Sequence, residues 1–455
     1  MSPLSTHSMG PVHVHGQTSG KSTAPLPNDE GSPLAFRALL LLTFVIYIAP
    51  QALIPALEPL HLAKVSAIIA VIAYLARVLG SGVRWTVMNR EVRLILILMS
   101  IALISIPFSK WPGGSVEFFL DQYSKSIIVF FLVANVLTSF RRYRTFLWTI
   151  GIFSAFNAVL GIKNYLSGSF VLTDGRVLGG VSGIASNPND LALTLNLAIP
   201  FLVYLYSTAK SSRQRILVAV LIAINVGGIV ISFSRGGFVT LVVFVLWTAW
   251  MCGQRQGMGI FIKTVAGMVV LALVLLLAGP EGYGSRIDSI SDMDKDTTGS
   301  SQARWQGMVG AAQGMLAHPL GVGLHMNNLV LHDMGLGWLG VHNVYLELGA
   351  ELGFPGLIVF LMLLYGLIAS MKKVRIQYEH IPEMAQLAQA GGGAMVAYAT
   401  AAMFHPVAYH FYFYIVAGLM IACQQLTLSV ESLENKTGAR LPEPVRPKWM
   451  HLPRL

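Results

Sequence analysis

The sequence predicts an all-α membrane protein that crosses the bilayer about twelve times. Of its 455 residues, 54% are hydrophobic and only 11% charged, against roughly 25% charged in a soluble domain. Apolar runs of about 17–25 residues recur along the chain, each long enough to span a bilayer as a helix. The runs are continuously apolar and lack the period-two alternation of a membrane β-barrel.

The elements follow in order. Residues 1–33 are rich in Ser, Pro, His and Gly and are expected to form a disordered cytoplasmic tail. They lack the charged start and apolar stretch of a signal peptide, and His13 and His15 are read as part of this solvated tail. Spans are expected near 35–57, 62–80, 92–108, 116–137, 145–164, 189–208, 216–233, 236–251, 262–279, 343–371, 384–404 and 407–429, within one transmembrane domain, 34–429. The long tenth run implies a tilted or protruding end. A polar insert, 280–342, separates the ninth span from the tenth. Residues 430–455 form a basic tail whose Lys436, Arg440, Arg446 and Lys448 suit anionic membrane lipid. Cys252 and Cys423 are the only cysteines. Both fall at expected cytoplasmic helix ends, where no structural disulfide is anticipated.

Orientation follows from the Lys/Arg bias of the short loops. Arg77, Arg84, Arg90 and Arg93, then Arg141, Arg142 and Arg144, then Lys210, Arg213 and Arg215, then Arg255 and Lys263, then Lys372, Lys373 and Arg375 alternate with the spans onto one side. That side is assigned to the cytoplasm, with both termini on it. These loops account for the net charge of +10, so nucleic acid is not implied. Arg176, Arg235, Arg286, Arg304 and His342 fall on the opposite side and need another reason.

Four constellations on that side carry possible chemistry. Ser232-Phe233-Ser234-Arg235-Gly236-Gly237 joins two spans with almost no loop, placing Arg235 at the membrane surface, where a cation is costly unless paired. Its glycines allow a tight turn and close approach of a ligand. Arg matches phosphate oxygens with a planar fork. Ser300-Ser301-Gln302-Ala303-Arg304-Trp305 opens a helix expected to run to about Leu316, capped by Ser300 or Ser301 and stopped by Pro319. Trp305, Met308, Val309, Ala312, Met315 and Leu316 share one face, which suggests a short interfacial helix with that face in the membrane. Arg304 falls in its first turn, unfavourable for the helix dipole unless an anion binds there too.

His342-Asn343-x-Tyr345-x-Glu347 stands at the mouth of the tenth span. His342 suits a general base, its ring oriented by Glu347 or Glu351. Ser186-Asn187-Pro188-Asn189-Asp190 leads into the sixth span, with Asn189 or Asp190 as its cap, and the preceding Asp174-Gly175-Arg176 lies within reach of a ligand. His405, Pro406 and His410, on the last outer turn, either line the same cavity or sit at the interface. The acidic run Asp288, Asp292, Asp294 and Asp296 lacks the glycine and distal Glu of an EF-hand loop, and no other metal motif occurs. Cations and an imidazole at a membrane surface suit the handling of a lipid-linked phosphate.

Residues 185–370 resemble the O-antigen ligase and O-antigen polymerase superfamily. The likeness rests on Ser234-Arg235-Gly236 opening a span. It includes Ser301-x-x-Arg304-Trp305 followed by His318-Pro319-Leu320-Gly321-Val322-Gly323, and is completed by His342-Asn343-x-Tyr345-Leu346-x-x-x-x-Glu351-x-Gly353-x-x-Gly356-Leu357. The Asn187-Pro188-Asn189 turn is similar to the exosortase-associated O-glycosylation ligase branch. The resemblance implies an undecaprenyl-diphosphate-linked glycan donor and lipid A-core or protein as acceptor. It assigns Arg235 and Arg304 to the diphosphate and His342 as base or acceptor-positioning group. Arg176, Asn187, Asn189, Arg286, Asn343, Tyr345 and Glu347 are the expected substrate-binding residues. It implies no cofactor, no nucleotide sugar and, for the ligases, no required metal. A polymerase with the same donor remains the alternative. A membrane transporter is the alternative of another class, though it would place its polar groups near the bilayer midplane.

Overall fold

A computed structural model describes residues 31–81, 86–168, 177–179, 183–256, 259, 262–263, 265–266 and 300–437. Among the described residues the regular elements are helical. They are α1 (Pro33–Ile48), α2 (Pro50–Leu53), α3 (Leu62–Ser81), α4 (Arg90–Ser105), α5 (Pro112–Phe118), α6 (Ser124–Val136), α7 (Phe140–Leu166), α8 (Pro188–Ser207), α9 (Ser212–Ile231), α10 (Arg235–Gln256), α11 (Ser300–Ala317), α12 (Asn327–Asp333), α13 (Val344–Gln377), α14 (Pro382–Ala401) and α15 (Phe411–Thr437). The expected ninth span, the acidic run, Arg176, Arg286 and most of both tails lie outside the described residues.

Among the described residues, eight helices are long and apolar enough to cross a membrane: Pro55–Gly80, Arg90–Phe108, Phe140–Leu166, Pro188–Ser207, Ser212–Ile231, Arg235–Gly253, Val344–Gln377 and Phe411–Glu431. The other expected spans differ for local reasons. The run 35–57 is not one helix: α1 stops at Ile48, because Ala49 turns left-handed (φ 47°) and Pro50 and Pro55 open new short helices. The run 116–137 starts earlier, at Pro112, and passes through a π turn at Phe119–Tyr123 between α5 and α6. The run 384–404 is helical as α14, but Gln386, Gln389 and Gly391 to Gly393 make it too polar to qualify. It tolerates this because it packs against α8, α10, α13 and α15 rather than facing lipid. A Cβ on Gly393 would come within 2.9 Å of both Phe244 and Trp247.

The centre of the bundle is α8 and α15, each 78% buried over its span, whereas Pro55–Gly80 is 17% buried and peripheral. One continuous apolar cluster, including Phe130, Phe201, Phe360 and Phe413, joins these helices. α15 continues to Thr437, past the expected start of the basic tail.

The longest element, α13, has 34 residues and would be about 51 Å long at 1.5 Å per residue. It is interrupted: Gly353 has φ 68° and ψ −170°, and Pro355 follows. Pro355 has no N–H for the carbonyl of Glu351. The N–H of Phe354 leaves the helix for Pro319 O (2.9 Å). The carbonyls of Ala350 and Glu351 instead accept from Val322 N (3.1 Å) and Gly323 N (3.0 Å). Residues 319–323 thus form a strap across the break. The contact is backbone on backbone: a Cβ on Gly353 would meet Pro319 O at 2.3 Å, and one on Gly321 would meet Glu351 O at 2.3 Å. This explains the His318-Pro319-Leu320-Gly321-Val322-Gly323 sequence.

Gly353→Ala is expected to cost roughly 1–3 kcal/mol for a backbone region reserved to glycine and roughly 1–3 kcal/mol more for overpacking. Gly335 also has positive φ (76°) but has nothing within 4 Å of its Cβ position, so Gly335→Ala carries a backbone cost alone. Thermal unfolding in detergent should show the larger loss for Gly353→Ala; equal losses would mean the strap is not packed on the break.

Candidate functional site

The site is built where α8, α10 and α11 begin beside the turn between α14 and α15. At the start of α8, Asn187 is the N-cap, accepting from Asn189 N and Asp190 N, both at 2.9 Å, with Pro188 in the first turn. This corrects the expectation that Asn189 or Asp190 caps the helix. Asn189 Oδ1 instead accepts from Ser234 Oγ (2.8 Å). Asp190 Oδ1 accepts from His405 Nε2 (2.7 Å) and from Tyr412 OH (2.9 Å), and Asn187 Nδ2 donates to Oδ2.

The turn into α10 is made by Phe233, whose φ is 52°. Ser234 Oγ accepts from Gly237 N (3.2 Å) and caps the helix. The glycines expected to make that turn serve packing. A Cβ on Gly237 would lie 2.4 Å from Ala192 Cβ on α8, and one on Gly236 would lie 2.9 Å from Phe404 Cβ. Asn196 Nδ2 donates to Gly237 O (3.0 Å) and ties the two helices. Arg235 is therefore the first residue of α10, held close to α8 and Phe404.

α11 begins at Ser300, so Arg304 falls just past the first turn. Its small residues pack inward: Gly307, Gly310, Ala311 and Gly314 are buried, with Gly310 against Leu331 and Leu336 and Gly314 against Val330. Trp305, Val309 and Leu316 stay exposed. The apolar face foreseen for this helix exists, and it is the small-residue face opposite that seats the helix on the protein. Arg304 and Met308 lie along the flank between them.

That flank closes a cavity of about 220 Å³. Arg235, Arg304, Asn189, Ser234 and His405 line it, alongside an apolar wall of Leu193, Val239, Met308, Ala401 and Phe404. Two arginines lining one space beside an apolar wall suit an anion carried on a lipid. Spacing in sequence put Arg235 and Arg304 on one side; only the fold brings them, Asn189 and His405 to one cavity. Asp190 and Tyr412 behind His405 were not foreseen in this role. Their signal in the sequence was slight, since an Asp beside a helix start reads first as a cap.

The remaining predicted residues are otherwise engaged. His342 precedes α13, and its Nδ1 donates to Gly340 O (3.0 Å). Asn343 caps α13, accepting from Leu346 N and donating to Met403 O (3.2 Å). Tyr345 OH donates to Ala399 O (2.8 Å). Glu347 does not orient the His342 ring; it is buried and accepts from Ala408 N (3.3 Å). Glu351 is also buried and accepts from Asn327 Nδ2. On the same outer turn, His410 Nδ1 pairs with Gln122 Nε2 (3.2 Å), and burial holds its imidazole below the usual histidine range, against the opposing pull of Asp190. His325 is likewise lowered by burial, stacked on Phe118 at 3.9 Å. Among the described residues no cluster of side chains could hold a metal ion.

The helices and the cationic cavity define a multi-pass membrane protein with an anion-suited site at one end of its bundle. Residues 217–361 match the family model described as O-antigen ligase, and this segment is similar to that family. The matched segment contains Arg235, Arg304 and His342 but neither Asn189 nor His405. A search of curated proteins gave no match.

Gly237→Ala is expected to drive α10 from α8 and cost roughly 1–3 kcal/mol of overpacking, more than the up to about 1 kcal/mol that Ala gains over Gly within a helix. A melting temperature at or above that of the wild type would show that the helix contact is looser than these distances imply.

Proposed function

We propose that the protein is an inner-membrane glycosyltransferase of the O-antigen ligase type. It moves a glycan from undecaprenyl diphosphate to lipid A-core or to a protein, on the periplasmic side. The observation that carries this reading is the shared cavity of Arg235 and Arg304 with its apolar wall. The loop charges support cytoplasmic termini and a periplasmic site.

In this reading the diphosphate sits between the two guanidinium groups and the first lipid units run along the wall formed by Leu193, Met308 and Phe404. As the anomeric bond breaks, its electron pair passes to the diphosphate. Arg235 and Arg304 then stabilise charge where it develops, an effect often worth about 3 kcal/mol per lost donor. His342 takes the proton from the acceptor hydroxyl. Its Nδ1–H is committed to Gly340 O, which fixes the tautomer and makes Nε2 the proton acceptor. The acceptor oxygen attacks the anomeric carbon in one displacement, inverting it. Asn189 contacts the donor from the cavity floor. Arg176 and Arg286 are proposed as further donor contacts. Asn187, Asn343, Tyr345 and Glu347 hold the backbone that shapes the site.

The test follows release of the diphosphate carrier from undecaprenyl-diphosphate glycan by the purified protein, with and without lipid A-core. Arg304→Lys, which keeps charge but loses the fork, should lower the rate roughly 100-fold, as expected for about 3 kcal/mol. His342→Ala should abolish acceptor-dependent release. Full activity in both variants would sink these roles. A lengthening glycan ladder without lipid A-core would assign the chain to the polymerases.

A further inference from the structure

A second cavity, of about 540 Å³, opens between the start of α4 and the far ends of α13 and α15. Its volume is usual for a small-molecule site. α15 begins beside the arginine cavity, and its residues Gln424 to Glu431 line this one, so the two cavities lie at opposite ends of that helix.

Most polar side chains in the wall are spent on one another. Asn89, the N-cap of α4, donates to Gln424 Oε1, and Gln424 Nε2 donates to Ser370 Oγ (2.8 Å). Glu431 accepts from Tyr378 OH (2.5 Å) and Gln377 Nε2 (3.3 Å). Three charged groups are left over. Arg90, Glu91 and Lys373 line the cavity, and their side chains make no hydrogen bond or ion pair among the described residues.

Glu91 is the one that needs a reason. An acid in the first turn of a helix complements the dipole, but an exposed acid would do so equally well. Glu91 is only 7% exposed, where a carboxylate without a partner is costly. Neither of its oxygens is sealed off by protein, so both are open to the cavity. The carboxylate reaches across to α13 over Gly366, where a Cβ would lie 3.4 Å from Oε1. Arg90 and Lys373 are exposed at the rim.

An acid inside and two cations at the mouth, unpaired with each other, select the ligand. A bare anion would bring its charge against Glu91. A bare cation would have to pass Arg90 and Lys373. A phosphodiester with an ammonium two carbons away matches all three groups. The protein surface next to the mouth suits acyl chains. Ile97 and Ile104 follow Arg90 at seven-residue intervals, on one stripe of α4, and both are exposed. On α13, exposed Met362 lies one turn from Gly366.

We propose that this cavity binds the headgroup of phosphatidylethanolamine from the leaflet on that side, cytoplasmic by the loop charges. The ammonium donates to Glu91, the phosphodiester lies between Arg90 and Lys373, and the acyl chains run along the Ile97 and Ile104 stripe. The site is separate from glycan transfer and does not depend on what fills the arginine cavity.

The test is native mass spectrometry of the full chain in detergent, titrated with phosphatidylethanolamine, phosphatidylcholine or phosphatidylglycerol of identical acyl chains. Phosphatidylcholine keeps both charges but has no N–H to donate. Phosphatidylglycerol keeps the phosphodiester and lacks the cation. Phosphatidylethanolamine should bind roughly tenfold more tightly than either, as one charge-assisted hydrogen bond allows. Glu91→Gln should remove that preference without weakening phosphatidylglycerol, and Lys373→Gln should weaken all three lipids alike.

Equal binding of the three lipids by the wild type would mean annular contact only and overturn the proposal. A preference for phosphatidylglycerol would make this a site for anionic lipid and overturn it too. So would a phosphatidylethanolamine preference that survives Glu91→Gln. Lys373 is on the surface, so Lys373→Gln keeps the location testable if Glu91→Gln does not fold: unchanged lipid binding in that variant would put the lipid elsewhere and overturn the assignment.

Discussion

The arrangement of this molecule depends on one interruption in one helix. At Gly353 and Pro355, α13 gives up the hydrogen bonds of two carbonyls, Ala350 and Glu351, and sends the N–H of Phe354 elsewhere. In a membrane bundle such groups must be satisfied by protein, because hydrocarbon offers no partner. The strap 319–323 supplies all three, donating from Val322 and Gly323 and accepting at Pro319. Once seated it is held again from the other side, where Lys110 N donates to Val322 O (2.9 Å) and Ser115 Oγ donates to Leu324 O (2.7 Å). α11 runs directly into the strap through His318. The location of Arg304 therefore follows from the break in α13, a helix on which Arg304 does not lie.

The same stretch of α13 organises its other flank with carboxylates. Glu351 receives Asn327, at the start of α12, and Glu347 receives the backbone N–H of Ala408. A second backbone tie, Val344 N to Ala402 O (2.8 Å), fixes the turn between α14 and α15 to the mouth of α13. That turn carries Phe404 and His405. One side of α13 thus sets Arg304 and the other sets His405, and the cavity lies where both meet the starts of α8 and α10. Buried acids in a membrane domain invite a reading as proton carriers; here both are acceptors for the segments that must be held in place.

The fold class and most helix positions were legible because hydropathy reports lipid-facing surface directly. What hydropathy misjudged were helices whose environment is protein. α14 carries Gln386, Gln389 and three consecutive glycines yet lies at the centre, where close contact with Phe244 and Trp247 matters more than transfer to lipid. The break after Ile48 was visible as Pro50 and Pro55, and an apolar run was read through them. In the site, the arginines were legible as cations on the wrong side of the charge bias. Their convergence was not, because sequence distance says nothing about which helix starts share an end of the bundle. The cap at Asn187 was misplaced by two or three residues for a simple reason: Asn187, Asn189 and Asp190 are all good caps, and Pro188, favoured in the first turn, decides among them.

The residues that follow His342 show how a polar cluster at a membrane surface can serve structure. Asn343, Tyr345 and Glu347 look like a binding array in one dimension, and each is spent on backbone: Leu346 N and Met403 O, Ala399 O, and Ala408 N respectively. A turn at the end of a transmembrane helix exposes orphan N–H and C=O groups, so polar side chains gather there whether or not a substrate does. Arg235, Arg304 and the outer turn after α14 line one cavity, with α13 as the post that holds them in register.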